Sequence, residues 1–529
     1  MSRNLILVCL LGVGIVPVPV QAQIKTGAVS VSDQNLTADE ILVRAHGLYA
    51  EGKYAEAAAE YQRFLTSFSL AEEAQESVRL MLPRLALALL QMKKFSEARE
   101  AITAALAHDP PIDQHLRQDL VFWRSICEMQ DEEYEAAGKS LKEFLEMFPP
   151  GAERNPNYVR QFPAIRQIPE ARLLIGTCLV LEGKFLEAAD YYASIKPTLD
   201  PVMRGRATVL ELYSLVQVPA DDRAMALVME EFPSMGDLLQ LVTFQTLTLE
   251  IGSRFLERKE LRKAIICLQR VWSSERLLKH QEDRLANIES QLQAAEANPR
   301  SDPYTKFLYG RMATNVRREI ASFQKIDNFD SALRMRLAMA YQAMNRYRES
   351  ALIMEEMLNE MPPDPVVESA SVNLVQSWNA IERWPKAIEA AQAFIEKFPD
   401  SESVPLVLYL EGIAEQKALD YGAAVATFDT ITKKYPQSEF APRAQFMKGF
   451  SLLLAERNQE AIEAFEEFPK AHPKHEMAEA VAYWRGMAYS LDKQFARSRE
   501  VMDEYLDRFK DGTLRGSAVF RKAYCAQQM

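Results

Sequence analysis

Residues 394–412 read FIEKFPDSESVPLVLYLEG, and residues 431–449 read ITKKYPQSEFAPRAQFMKG. Aligned without a gap, the two stretches share a lysine, an aromatic residue, a proline, a Ser-Glu pair, a second proline, a second aromatic residue and a final glycine. The offset between them is 37 residues, from position 394 to position 431. Self-similarity at a fixed period predicts stacked copies of one small structural unit, each burying its apolar face against its neighbours.

The 37-residue period extends in both directions from this pair. An aromatic residue, or asparagine once, recurs at Tyr347, Trp384, Tyr421, Asn458 and Phe495. A small residue follows three positions later each time, at Ser350, Ala387, Ala424, Ala461 and Ser498. Large apolar residues then recur three positions apart, and a proline follows at Pro362, Pro399, Pro436 and Pro473. This spacing predicts an amphipathic helix that ends at or near the proline.

A glycine recurs twelve residues before the small position of several units. The pairs are Gly176 and Ala188, Gly252 and Ala264, Gly412 and Ala424, Gly449 and Ala461, and Gly486 and Ser498. Glycine inside a helix costs about 1 kcal/mol relative to alanine, so a regular series of glycines indicates a packing requirement. We expect two antiparallel helices per unit, packed closely where the glycine faces the small residue.

These residues and spacings resemble the tetratricopeptide repeat, a helix-turn-helix unit usually about 34 residues long. The present repeat is three residues longer after the proline. The form with K-aromatic-P-x-S-E-x-x-P between units is similar to that of exported bacterial envelope proteins, such as the lipoprotein of the outer-membrane β-barrel assembly machinery and the periplasmic coordinator of the Tol-Pal system. The resemblance implies an all-α, tetratricopeptide-like α-solenoid, a right-handed superhelix that acts as a protein-binding scaffold.

Looser units precede the regular ones and begin at Tyr54, Phe95, Tyr134 and Phe185. Residues 275–326 lack the repeat pattern but hold two amphipathic stretches around NPRSDP (298–303), which predicts a long helical hairpin. The hairpin either projects from the solenoid or forms part of one enlarged repeat. The expected organisation is a signal peptide at 1–22, a flexible segment at 23–40, an N-terminal repeat block at 41–274, the hairpin insertion at 275–328 and a C-terminal repeat block at 329–529.

The first residues have the pattern of an export signal. Arg3 precedes an apolar run from Leu5 to Val16, and Val20-Gln21-Ala22 fits a signal-peptidase site. The alternative is an uncleaved membrane anchor, although the run is short and prolines interrupt its end. We therefore expect a mature protein without a membrane span that is periplasmic or secreted, either free or associated with the outer membrane.

Composition and motifs argue against several function classes. The formal net charge of −12 disfavours nucleic acid as a partner. The sequence lacks the phosphate-binding, nucleophile-elbow and zinc-protease motifs, and His472 and His475 flank a helix-breaking proline, so we expect no enzyme activity, metal or cofactor. The alternative is the helical repeat region of a peptidoglycan-active enzyme, such as a soluble lytic transglycosylase. Cys127, Cys178, Cys267 and Cys525 are expected to lie in the core.

The expected binding surface is the inner wall formed by the first helix of each unit. It would bind other envelope proteins or peptides in an apolar groove with a few hydrogen-bonding side chains. The alternative is that these residues pack between adjacent helices. The candidate groove residues are Met335, Met339, Val372, Gln376, Asn379, Tyr409, Ile413, Gln416, Phe446, Phe450, Tyr483 and Met487.

The last residues, SAVFRKAYCAQQM, predict a lone first helix with an apolar face that includes Val519, Phe520, Tyr524 and Cys525. Three explanations are open: the helix caps the solenoid by itself, the chain is cut short of its natural end, or a partner or second copy covers the face. In the last case the protein would self-associate through this helix.

Overall fold

The computed structural model describes residues 37–68, 74–472 and 475–529, and within these ranges it consists of helices and connecting turns. The predicted signal peptide and most of the segment at 23–40 lie outside the described residues. No helix in the described ranges combines the length and apolar character needed to cross a membrane.

The chain divides into two compact units. The first comprises residues up to Ile251 together with Arg270–Ile326, and the second comprises Gly252–Gln269 and Asp327–Met529. Helices of the first unit are α1 (Ala38–Ala50), α2 (Tyr54–Phe68), α3 (Gln75–Gln91), α4 (Phe95–Leu106), α5 (Gln114–Gln130), α6 (Tyr134–Glu146), α7 (Pro156–Gln161), α8 (Ile168–Leu181), α9 (Phe185–Ile195), α10 (Pro201–Val216), α11 (Asp221–Glu231), most of α12 (Leu241–Glu257), α14 (Ser274–Ala297) and α15 (Pro303–Phe323). Four short 3₁₀ helices, Ala152–Arg154, Pro163–Gln167, Lys196–Thr198 and Phe232–Asp237, complete it.

The second unit holds the end of α12, then α13 (Leu261–Leu268), and after these the regular repeats. Their helices are α16 (Phe329–Ala343), α17 (Tyr347–Glu360), α18 (Pro365–Ala380), α19 (Trp384–Lys397), α20 (Val404–Lys417), α21 (Tyr421–Lys434), α22 (Ala441–Leu454), α23 (Asn458–Ala471), α24 (Ala478–Leu491), α25 (Phe495–Arg508) and α26 (Arg515–Gln528). Each second helix begins at the residue that recurs every 37 positions. The all-α repeat fold predicted from the sequence is therefore confirmed.

A tight turn of constant geometry joins the two helices of each regular repeat. One residue in the turn has a positive φ near 60°, as in Asn345, Glu382 and Leu419. The amide of the next residue donates back to a carbonyl five residues earlier, as from Arg346 to Tyr341 and from Asp420 to Glu415, both at 2.9 Å. This left-handed ending satisfies carbonyls that a helix end otherwise leaves free. The second helix is thereby placed at a fixed offset from the first.

The glycines of the first helices make room for a large side chain on the second helix. A Cβ at Gly412 would lie 2.6 Å from Phe428, one at Gly449 would lie 2.7 Å from Phe465, and one at Gly176 would lie 2.5 Å from Tyr192. The sequence-based expectation that glycine faces the small residue twelve positions later was wrong in this detail. The glycine faces the residue sixteen positions later, while the small residue is buried beside the first helix, where Ser498 donates to the carbonyl of Gly486 at 2.7 Å.

The sizes of the facing residues compensate one another. Where the first helix has Gly412 or Gly449, the residue sixteen positions later is Phe428 or Phe465. In the repeat with Val375 on the first helix, that residue is Ala391, and both side chains are fully buried. A larger residue on one helix thus faces a smaller one on the other, which fills the contact in an interior as dense as an organic crystal.

The hairpin of α14 and α15 packs along the first unit. Its apolar residues, including Ile288, Ala313 and Val316, form a buried cluster with Leu239. His280 lies 2.9 Å from the carbonyl of Gly236, and the side-chain amide of Gln281 donates to the carbonyl of Leu239 at 3.1 Å. The hairpin therefore packs against the first unit, and α14 supplies polar groups to that contact.

Two carboxylates of the hairpin, Glu319 and Asp302, form polar contacts with the rest of the first unit. Glu319 of α15 accepts from the backbone amide of Thr243 at 3.0 Å and from its hydroxyl at 2.6 Å, next to the N-terminus of α12. Burial raises the pKa of Glu319 to about 7. Near the hairpin tip, Arg166 pairs with Asp302 at 3.0 Å.

Glu170 of α8 lies buried between two guanidinium groups. It is 2.8 Å from Arg206 of α10 and 2.8 Å from Arg311 of the hairpin. Burial acts to raise the pKa of Glu170, but the two arginines and their hydrogen bonds outweigh it and hold the pKa at about 2. The ionised carboxylate thus joins three helices of the first unit.

The last helix, α26, buries Ala518 and Cys525 against the preceding repeat and leaves Phe520 69% exposed. Val519 and Tyr524 are exposed as well, whereas the expectation of a partly uncovered Cys525 was wrong, because Cys525 packs beside Ser490 and Ser498. The four cysteines predicted to lie in the core are all buried.

We expect Gly412→Ala to lower the free energy of unfolding of the second unit by about 1–2 kcal/mol, because overpacking against the Phe428 ring outweighs the higher helix propensity of alanine. Gly422→Ala is the matched control, since a Cβ there meets only ordinary contacts at 3.7 Å. It should be neutral or stabilising. Gly412→Val combined with Phe428→Ala reproduces the natural pair of Val375 and Ala391 and should be more stable than Gly412→Val alone. Denaturant unfolding measures all four, and equal stability of the two alanine variants would contradict the packing.

We expect Glu170→Gln to destabilise the first unit at pH 7 by on the order of 3 kcal/mol, because it leaves two arginines without their buried partner. The pKa of this carboxyl is depressed, so its contribution is complete above about pH 4.5 and is lost as the pH falls towards 2. The difference between wild type and variant should therefore shrink on acidification. Urea unfolding at a series of pH values tests this, and a difference that stays constant below pH 4.5 would contradict it.

Candidate protein-binding face

The first helices of the second unit lie side by side. Helix α16 contacts α18, α18 contacts α20, and the same holds for α20 with α22, α22 with α24 and α24 with α26. Each has a central buried position, namely Ala338, Val375, Gly412, Gly449 and Gly486 in the five complete repeats. We define the first-helix face as the positions six, three and two before this residue and one and five after it. Helical geometry places these five positions on one side of the helix.

The candidate residues one position after the central residue lie on this face, and their side chains are exposed or half-buried. Met339 and Gln376 are exposed, and Ile413, Phe450 and Met487 are half-buried. The candidates three positions before the central residue, Met335, Val372, Tyr409, Phe446 and Tyr483, are also half-buried.

Part of the aromatic surface in that second group packs against the second helix. The rings of Tyr409 and Phe428 are 5.9 Å apart, those of Phe446 and Phe465 are 6.0 Å apart, and Tyr483 lies 6.3 Å from Tyr505. Each of these side chains therefore divides its surface between the interior of the repeat and the first-helix face.

Two of the three polar candidates, Gln416 and Asn379, differ from the expectation. Gln416 is buried, and its amide donates to the hydroxyl of Ser451 at 2.8 Å, so the hydrogen bond expected for a ligand is made within the protein. Asn379 is half-buried and donates to the carbonyl of Leu410 at 3.3 Å. Both amides link the first helices of consecutive repeats, and neither residue belongs to the exposed part of the face.

The sequence analysis missed several apolar residues of the face, among them Leu454, Leu491 and Trp484. Leu454 and Leu491, five positions after the central residue, are 41% and 45% exposed. Trp484, two positions before it, is half-buried and meets Phe450 of the preceding repeat edge to face at 4.8 Å. Spacing of four residues from Phe450 and Met487 would have indicated the two leucines, since residues four apart share a helix side.

The last three complete repeats thus present a continuous apolar strip on the first-helix face. Phe446 and Phe450 stack at 6.2 Å, and Trp484 connects Phe450 with Tyr483, whose ring is 5.6 Å away. Around them lie Leu410, Ile413, Met447, Leu454, Met487 and Leu491. We call these ten residues the apolar strip.

The most perturbed carboxylates of the second unit lie behind this face. Burial raises the pKa of Glu411, and burial together with the charges of Glu411 and Asp420 raises that of Glu415 to about 7. Both side chains are buried, and Gln392 donates to Glu411 at 3.2 Å. Within the described ranges, no three His, Cys, Asp or Glu side chains are grouped so that they could hold a metal ion. The arrangement on the open face is suited to apolar contact.

We expect Leu454→Ser to leave the stability of the second unit within about 0.5 kcal/mol of wild type, because the side chain is largely exposed. Leu452→Ser, two residues earlier on the same helix, changes a side chain that is 1% exposed. It should cost at least about 3 kcal/mol through the cavity and the buried hydroxyl. Urea denaturation of the two variants is the measurement, and a large loss in Leu454→Ser would mean that the strip is part of the core.

Comparison with known proteins gives two family matches. Residues 84–152 match a family model described as tetratricopeptide repeat, and residues 408–513 match one described as YfiO, outer membrane lipoprotein. No protein with a curated description matches the chain significantly in sequence.

Solved structures with similar repeats include the anaphase-promoting-complex hetero-tetramer Cut9–Hcn1, at 13% identity and a TM-score of 0.27, covering 92% of this chain and 96% of that one. Another is Naa15/Naa10 bound to HypK-THB, at 17% identity and a TM-score of 0.29, covering 93% and 73%. Similarity at this level does not indicate a shared function. From its helix pairs and the two family matches, the chain is a tetratricopeptide-type repeat protein whose residues 408–513 are similar to the YfiO outer-membrane lipoproteins.

Proposed function

We propose that this protein is a non-enzymatic scaffold of the bacterial envelope that holds apolar segments of other proteins on its first-helix face. The observation that carries the proposal is the apolar strip, which follows the first helices through three consecutive repeats. Its members are half-buried or exposed, and they lie within the residues that match the YfiO family.

The strip has the physical properties of a recognition surface. Apolar side chains that are continuous across several helices and open to solvent are uncommon on a protein surface without a partner. Aromatic residues such as Trp484 and Phe450 add a large contact area with few rotatable bonds, as is usual for residues that dominate binding energy. A groove lined by such residues suits an extended segment or the apolar side of a helix.

Two observations support an envelope location. The first residues have the pattern of an export signal, with Arg3, the run from Leu5 to Val16 and the Val20-Gln21-Ala22 cleavage motif. The family similar to residues 408–513 is one of outer-membrane lipoproteins. We therefore place the protein in the periplasm, near the outer membrane and in contact with its assembly or Tol-Pal-like systems.

Site-specific photo-crosslinking in intact cells tests the proposal. A crosslinking residue at Leu454 or Leu491 should capture specific envelope proteins, because both positions lie in the apolar strip. Leu352 on α17 is the matched control, since it is also an exposed leucine but lies on a second helix. Capture at the first-helix positions should decline strongly in Trp484→Ala, which removes the ring that contacts both Phe450 and Tyr483.

Cell fractionation and mass spectrometry complete the test. The products captured at Leu454 and Leu491 should be envelope proteins, and the chain itself should appear in the periplasmic or outer-membrane fraction with a new N-terminus at Gln23. Equal capture at Leu352, or recovery of the intact chain from the cytoplasm, would contradict the proposal.

A further inference from the structure

The first-helix face differs in charge from the rest of the chain. Aspartate and glutamate account for 74 of the 529 residues, or about one in seven. Five positions in each of five repeats would thus ordinarily include about three acidic side chains. The first-helix face, from α16 to α24, has none.

The charged residues on this face are cationic. They are Arg336 on α16, Lys417 on α20 and Arg443 on α22. Lys417 and Arg443 are exposed, Arg336 is half-buried, and Arg443 forms an exposed pair with Glu476 at 3.5 Å beside the start of α24. On the last first helix, α26, Arg521 occupies the position that Arg336 has on α16. Its side chain is half-buried near Ser490.

The second helices of the same repeats are acidic when taken together, because α17, α23 and α25 have an excess of carboxylates, whereas α19 is neutral and α21 is not acidic. On α23, Glu463 and Glu467 are exposed, and on α25 the exposed residues include Glu500 and Glu504. The acidic excess that gives the chain its net charge of −12 is therefore kept off the first-helix face. A face with cationic side chains and no acidic ones is complementary to an anionic partner.

We propose that the segment bound on the first-helix face is an apolar peptide segment that carries acidic side chains among its apolar ones. This inference rests on the proposed function and specifies the partner's chemistry. The apolar strip contacts the apolar side chains, and Lys417 and Arg443 beside it attract the carboxylates. The absence of acidic residues on the face removes the repulsion that such a segment would meet elsewhere on this chain.

Salt dependence follows from this arrangement. Exposed charges interact over about 10 Å at 0.1 M salt and only about 3 Å at 1 M, while apolar contact is not screened. Binding of an acidic apolar segment should weaken with added salt but persist at high salt. A basic segment should bind poorly at low salt despite the acidic net charge of the whole chain.

Three synthetic amphipathic peptides provide the probe. They share the same leucine and phenylalanine residues, and their polar positions are all Glu, all Gln or all Lys. Fluorescence anisotropy with the full chain at about 50 mM salt should give the tightest Kd for the Glu peptide and the weakest for the Lys peptide, with a ratio of about tenfold or more. The ratio should shrink at about 0.5 M salt.

A pair of charge reversals locates the effect. Lys417→Glu changes an exposed lysine in the last turn of a first helix, and Lys470→Glu changes an exposed lysine in the last turn of the second helix α23. We expect Lys417→Glu to weaken the Glu peptide about three- to tenfold and to strengthen the Lys peptide, through loss of attraction and added repulsion. Lys470→Glu should change either Kd less than about twofold. Thermal melts of both variants show whether folding is retained.

The outcomes separate this inference from the proposed function. Equal affinity for the three peptides, or tighter binding of the Lys peptide, would overturn the acidic-segment inference while leaving an apolar binding face. An effect of Lys470→Glu as large as that of Lys417→Glu would overturn the assignment to this face. If no peptide binds but the chain self-associates, with loss of association in Trp484→Ala, the occupant is a second copy and both proposals fail.

Discussion

The contact between the central residue of the first helix and the side chain sixteen positions later fixes the shape of every repeat. Glycine against an aromatic ring, as in Gly412 and Phe428, and valine against alanine, as in Val375 and Ala391, fill this contact with different residues. Close packing makes this sum of volumes a constraint. When this packing requirement is met, the position of the turn and of the adjacent first helices is determined as well. The outward sides of the first helices remain available for binding.

Features that repeat were predictable from the sequence, and features that occur once were not. The 37-residue period predicted where each second helix begins, because the same packing problem recurs. The facing partner of the glycines was misassigned, since twelve and sixteen residues both bring a second-helix residue close to the first helix. Glu170 and Arg311 are 141 positions apart, and no pattern links them. For the same reason the sequence left open whether the hairpin projects or forms part of an enlarged repeat, because single polar contacts hold it along the first unit.

On the candidate face, too, some features were predictable from the sequence and others were not. Helical spacing placed Met339, Ile413, Phe450 and Met487 on one side of the first helices, where the structure has them. It could not show that Gln416 is buried, because that depends on Ser451 in the next repeat accepting its hydrogen bond. The sequence analysis missed Leu454, Leu491 and Trp484 for a different reason. Leu454 and Leu491 are the last residues of their helices, and Trp484 lies beside the predicted positions, so none of them stands out within a single repeat. They form a strip only when three repeats lie side by side.

The turn within each repeat is held to one length by its left-handed residue and its backbone hydrogen bond, from Gly52 near the start to Lys493 near the end. Insertions therefore accumulate between repeats, as in the irregular residues before α8, and the two helices of a pair stay in phase. A repeat can consequently be exchanged, duplicated or deleted as a whole without altering the side that its first helix presents. Binding preference in such a chain can change in evolution by rearrangement of repeats, with few point substitutions and little disturbance of the remaining core.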